Sequence, residues 1–124
     1  MKNLNEISYK IIGCAYTVHS ELGPGLMESV YEACLAWELQ NQGIKVKVQK
    51  ALPVVYKDIK LDVGFRIDLL IEDSVIIELK AVQEVAPLHE AQLLTYLKLA
   101  NKKLGLLINF NVTDLKKGIM RRVM

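Results

Sequence analysis

The chain has 124 residues, 52% of them hydrophobic and 24% charged, with a net charge of +2. That is enough for one domain with a single core, and too apolar for a disordered chain. No apolar run approaches the roughly 20 residues of a membrane helix, and the opening MKNLNEISYK lacks the apolar centre of a leader peptide, so a cytoplasmic protein with no membrane partner is expected.

The first predicted element is a helix from Leu4 to about Leu22, with Ile7, Ile11, Cys14, Ala15 and Val18 at helical spacing. The turn Gly23-Pro24-Gly25 stops it. A second helix is predicted from Met27 or Glu28 to about Gln42, with Val30, Ala33, Cys34, Trp37 and Leu39 as its apolar side and Gly43 just past its end. The period then changes. IKVKVQ at 44–49 alternates as a half-exposed strand does, and 53–57, 60–72 and 75–82 are further strand candidates. Helical spacing returns over 88–101 through Leu88, Ala91, Leu94 or Thr95, Leu97 and Leu99. LGLLINF at 104–110 is a buried strand by length and apolarity, followed by a helical turn near 114–118 and an edge strand in IMRRVM. The expected order is α-α-β-β-β-β-α-β, an α/β (α+β) domain with a mainly antiparallel centre. Cys14 and Cys34 lie in helical segments and are expected as reduced core thiols.

Charge is uneven along the chain. Residues 1–44 carry a net −3, residues 45–100 balance eight basic against eight acidic groups, and residues 101–124 carry +5, a basic end suited to phosphate contact.

Three ionisable groups interrupt the most apolar stretch, FRIDLLIEDSVIIELKAV: Asp68, Glu78 and Lys80. Alternate strand positions share a face, so Glu78 and Lys80 lie on one side, and Asp68 shares its face with Arg66 and Leu70. A two-residue turn at Asp73-Ser74 would put Asp68 and Glu78 on opposite faces. A three-residue connection would pair 68 with 78 and 66 with 80. Isolated buried acids cost several kcal/mol, so an odd-length connection or a bulge that keeps the acids together is expected. Two adjacent carboxylates repel, and a divalent cation with oxygen ligands would hold both ionised. Lys80 beside them would suit phosphodiester hydrolysis, and a buried ion pair without chemistry is the other reading of the same charges.

An Asp after an apolar strand, followed ten residues later by Glu78-Leu79-Lys80, resembles the signature of the PD-(D/E)xK nuclease superfamily. Gln92-Leu93-Leu94-Thr95-Tyr96 matches its QxxxY motif, with both polar groups on one helix face. Gly25-Leu26-Met27-Glu28-Ser29-Val30-Tyr31 reads G-x-x-E-x-x-Y, the motif that names the small GxxExxY branch, and LLINFN resembles that branch's strand ending in Asn-Phe. The resemblance spans roughly Ile7 to Val123. Ile67 stands where the signature has its nominal Pro.

The resemblance implies a single nuclease-like domain over 1–124, with a restriction-endonuclease-like core: a mixed sheet with a central antiparallel hairpin flanked by helices. It implies Mg²⁺ (or Mn²⁺) held by Asp68, Glu78 and Glu28, with Lys80 as the catalytic lysine. Metal-activated water would hydrolyse nucleic acid, DNA rather than RNA. Gln92, Tyr96, Arg66, Tyr31 and His19 would position substrate. His19 is also placed to bond a carbonyl at its helix end, and His89 reads as a surface or cap-region residue. The alternative is a non-catalytic nucleic-acid-binding or homodimeric assembly module on the same fold. No Cys/His spacing supports zinc.

Overall fold

The computed structural model describes residues 3–124; Met1 and Lys2 of the opening stretch lie outside the described residues. Helix α1 (Leu4–Leu22) is capped by Asn3, whose side chain accepts from the Glu6 N–H, and it buries the expected Ile7, Ile11, Cys14, Ala15 and Val18. Gly23 at φ 69° and Gly25 at φ 101° turn the chain in conformations that other residues avoid. Helix α2 (Glu28–Asn41) then packs beside α1, and Gly43 closes it at φ 78°.

The buried face of α2 is Tyr31, Leu35, Ala36 and Leu39. This corrects the expected stripe: Val30 and Trp37 are exposed, and only Leu39 is common to both. Apolar residues surround this helix, so spacing alone does not select the inward side.

Five strands form one mixed sheet in the order β1-β2-β3-β4-β5. They are β1 (Val46–Tyr56), β2 (Ile59–Ile71), β3 (Val75–Lys80), β4 (Leu104–Asn109) and β5 (Ile119–Val123). The segments read separately as 44–49 and 53–57 run on as the single long β1. All pairs are antiparallel except β3 with β4. That parallel pair requires a crossover, supplied by helix α3 (Pro87–Ala100). A 3₁₀ turn at Leu115–Gly118 precedes the edge strand β5, as expected.

The sheet separates two cores. The larger lies under α1 and α2 and takes Leu69, Ile71, Ile77 and Leu79 from the central hairpin. The smaller lies under α3 and joins Leu93 and Leu97 to Ile67, Leu70, Ile76 and Leu107. Of the expected apolar positions on α3 only Leu97 is buried; Leu88 is 76% exposed, and Leu94 and Leu99 also face solvent. The helix settles on Leu93 and Leu97 because Gly105 lies beneath them: a Cβ there would come within 2.8 Å of Leu93 Cδ1. Cys14 and Cys34 are free thiols. Among the described residues no helix is long and apolar enough to cross a membrane.

Candidate functional site

The site begins with the connection between β2 and β3. Glu72 and Asp73 take left-handed φ of 51° and 52°, and the Ser74 N–H donates to the Ile71 carbonyl at 2.9 Å. Three residues, 72–74, therefore link the strands, pairing Ile71 with Val75 and Leu69 with Ile77. One step further the same register sets Asp68 against Glu78. The strands part there, and the carboxylates occupy the gap. The Asp68 N–H donates to Glu78 Oε1 at 3.3 Å, and the Leu79 N–H donates to Asp68 Oδ2 at 2.8 Å. Side chains thus satisfy backbone donors that the ladder leaves behind.

Strand β1 is also irregular at this level. Gln49, opposite Asp68, has φ 52°, and its side chain donates to Glu32 Oε2 at 2.7 Å and to Asp68 Oδ1 at 3.3 Å. The inside–outside alternation of β2 slips here. Ile67 and Leu70 both face the α3 core, whereas Leu69 and Ile71 face the other. Asp68 stands at this change of face, so it does not simply share a side with Leu70. Arg66 is not brought into the cluster: it is exposed and lines a separate hollow with residues 51–53 and 60–65.

Glu78 is buried, 5% exposed, and its carboxyl is pushed up to about 8, first by burial and then by the Asp68 charge. Lys80, the last residue of β3, opposes that rise. Glu28, in the first turn of α2, is raised by partial desolvation, with Lys80 and His89 acting against it and Asp68 reinforcing it. Glu32, one turn along, is raised for the same first reason, moderated by Gln49. The phenol of Tyr96 is also raised, by burial and then by the charges of Glu78 and Asp68. Gln92 Nε2 donates to Tyr96 Oη at 3.0 Å, and the Tyr96 ring packs on Phe65 at 4.7 Å.

Asp68, Glu78, Glu28 and Lys80 therefore share one electrostatic neighbourhood, with Gln92 and Tyr96 at its side. Their aim is set from beneath. The Asn109 side chain accepts from the Val82 N–H and donates to the Val82 carbonyl, and the Phe110 N–H donates to the Lys80 carbonyl at 3.0 Å. The Phe110 ring stacks on Tyr31 at 4.6 Å. Tyr31 Oη donates to the Gly23 carbonyl at 2.6 Å and accepts from the Leu26 N–H at 3.1 Å. Tyr31 is wholly buried, and these bonds hold the glycine turn before Glu28. His19 Nε2 donates to the Val112 carbonyl at 2.7 Å, the helix-end role already open to it.

Three members escaped sequence reading. Gln49 and Glu32 look like ordinary surface residues, and nothing in IKVKVQ announces a left-handed residue. His89 was readable: with Gln92 and Tyr96 it makes an i, i+3, i+7 stripe on α3. Its Nδ1 accepts from the Ala86 N–H at 3.1 Å, which caps the helix as expected, and its charge also acts on Glu28.

The donor set suits a hard divalent cation, for it offers carboxylate oxygens and no thiolate. Among the described residues no three His, Cys, Asp or Glu side chains form a ready group for a metal ion. Asp68 and Glu78 are bonded to each other's strand, and Glu28 acts on both through space. One or two carboxylates plus waters is an ordinary magnesium complement, so the pair fits.

Comparison with protein families matches residues 5–123 to one described as the PD-(D/E)XK nuclease superfamily. No curated protein and no solved structure matches.

Proposed function

We propose, from the premise that this chain belongs to the PD-(D/E)XK nuclease superfamily, that it is a divalent-metal-dependent nuclease hydrolysing DNA phosphodiesters at Asp68, Glu78 and Lys80. The observation that carries the reading is the reciprocal bonding of Asp68 and Glu78 to each other's strand, with Lys80 two residues away. Nuclease-fold members of this superfamily generally use divalent metals; here Mg²⁺ or Mn²⁺ would be held by Asp68 and Glu78, with Glu28 reaching it through water. When bound, such an ion polarises a phosphoryl oxygen and lowers the pKa of a water.

The chain's own groups do the rest. The Lys80 ammonium offsets negative charge developing on the phosphoryl oxygens as the water oxygen bonds to phosphorus, giving its proton to solvent, and the P–O bond to the leaving strand breaks, its oxygen taking a proton from solvent. Tyr96 accepts from Gln92, which leaves its own proton free to donate to a phosphate oxygen. A phenol keeps that proton at neutral pH, and burial holds it more firmly still. Gly25, Glu28 and Tyr31 support the finer assignment to the GxxExxY branch: a left-handed turn, an acid at the start of α2, and a buried phenol that fixes both.

A second reading, a binding module without catalysis, is favoured by one observation, the absence of a preassembled three-ligand group among the described residues. Incubating the protein with plasmid DNA and Mn²⁺ decides between them. Cleavage lost in Asp68→Asn supports the nuclease. No cleavage, together with no heat of Mn²⁺ binding by calorimetry, removes it.

A further inference from the structure

Beyond Leu69, β2 has no partner on its β3 side, and it continues toward Ile59 paired with β1 alone. Residues 51–66 therefore leave the sheet as a two-stranded ribbon closed by Lys57 and Asp58, between the paired Tyr56 and Ile59. The ribbon bends where the register shifts between Pro53 and Val55, and its curve encloses a hollow of about 610 Å³ lined by Lys60 and Arg66 among others.

Basic residues run along this hairpin from its base to its tip. On residues 51–66 Lys57, Lys60 and Arg66 stand against Asp58 and Asp62, and Lys45, Lys47 and Lys50 extend the basic run at the base with no acid among them. All six cations are exposed except Lys50, which is half-buried. Of the six basic residues near the C-terminal end, Lys103, Lys116 and Lys117 are exposed as well, whereas the other three are engaged. Lys102 pairs with Asp73, Arg122 pairs with Glu90, and Arg121 donates to Asn5.

We propose that the β1–β2 ribbon is a grip for double-stranded DNA, laid in or along the major groove so that β2 leads the backbone to Asp68. The proposal deepens the nuclease reading and rests on it for the substrate. Charge complementarity with phosphates is the first argument. Shape is the second. The ten steps from Asp58 to Asp68 span about 33 Å at the usual strand rise, and a two-stranded ribbon fits the roughly 12 Å major groove of B-DNA. The deep, narrow major groove of an RNA helix does not admit one. Exposed Ile59, Leu61 and Val63 on the same ribbon make a second copy of the chain the competing occupant.

The test uses Asp68→Asn protein, which holds DNA without cutting it, and a labelled duplex of roughly two helical turns. Lys57→Gln with Lys60→Gln is expected to weaken binding at least about tenfold and to reduce the slope of log affinity against log salt by about 2. Lys116→Gln with Lys117→Gln is expected to leave both unchanged. Melting temperatures check that each variant folds. Unchanged affinity and slope in the ribbon variant overturn the proposal, as does equal affinity for a single strand or an RNA duplex. A dimer in light scattering that Val63→Asp dissociates, with DNA affinity unaffected, also overturns it in favour of the second copy.

The two readings fail separately. Duplex binding through the ribbon by a wild-type protein that cuts nothing with Mn²⁺ removes the nuclease and keeps the grip. Cleavage by the ribbon variant at unchanged KM removes the grip and keeps the nuclease.

Discussion

The inner half of β2, residues 67–71, and its outer half, residues 59–66, lie on one continuous strand yet differ in what surrounds them. Ile67, Leu69, Leu70 and Ile71 are buried between helices on both faces. The outer half has solvent on most sides, with Val63 at 75% exposed and Ile59 at 57%. Near the start of the inner half stands Asp68, where the alternation slips. The difference shows how a small domain holds ionisable groups at its core. The buried half fixes register tightly enough that two carboxylates can replace ladder bonds. The exposed half is free to carry charge that a core would reject.

Substitutions at the junction and on either side of it test this contrast, in descending order of effect. Asp68→Ala or Lys80→Ala should reduce cleavage at least about a hundredfold, measured by single-turnover assay with Mn²⁺, while circular dichroism shows the fold intact. Equal activity would detach the junction from the chemistry. On the inner side, Leu69→Ala should cost about 2–5 kcal/mol in a urea melt.

The pH dependence probes the junction itself. The carboxyl of Glu78 rises from 4.5 to about 8 on folding, so between those values the folded state binds more protons than the unfolded one. Its contribution to stability is present below pH 4.5 and is lost as pH rises through about 8. Without divalent ions, melting temperature should therefore decline across that window relative to Glu78→Gln, and Mg²⁺ or Mn²⁺ should narrow the difference. A parallel pair of pH profiles would remove Glu78 as the cause. Tyr31→Phe, which leaves the Gly23 carbonyl and Leu26 N–H without their partner, should cost about 1–3 kcal/mol. It should also weaken Mn²⁺ binding if the turn positions Glu28. Val63→Ala on the outer half should stay within about 0.5 kcal/mol.

Legibility in the sequence follows the same division. The register of the central hairpin could be deduced because an isolated buried acid is so costly that only an odd-length connection or a bulge satisfies both Asp68 and Glu78. Glycines at 23, 25 and 43 marked helix ends by the backbone they alone adopt easily. The faces of α2 and α3 were not legible, because both helices are apolar on more than one side. The close approach of Leu93 to Gly105, distant in sequence, selects the inward face of α3. The ribbon's charge was masked by its place within residues 45–100, where the acids of the inner hairpin and of α3 cancel it. Separating 45–66 from the rest would have shown it. His89 reads from the sequence as a surface or cap-region residue, and it does cap α3, but a cap on the first turn also lies on the stripe of Gln92 and Tyr96.

The crossover between β3 and β4 bears on how the protein is made. Asp68 and Glu78 are ten residues apart, so the hairpin that joins them closes a short loop and can form as soon as it leaves the ribosome. Phe110 and Asn109, which fix Lys80, Val82 and the glycine turn, arrive about thirty residues later. Until β4 has been made, the hairpin lacks both its parallel neighbour and the groups that fix Lys80 and Val82.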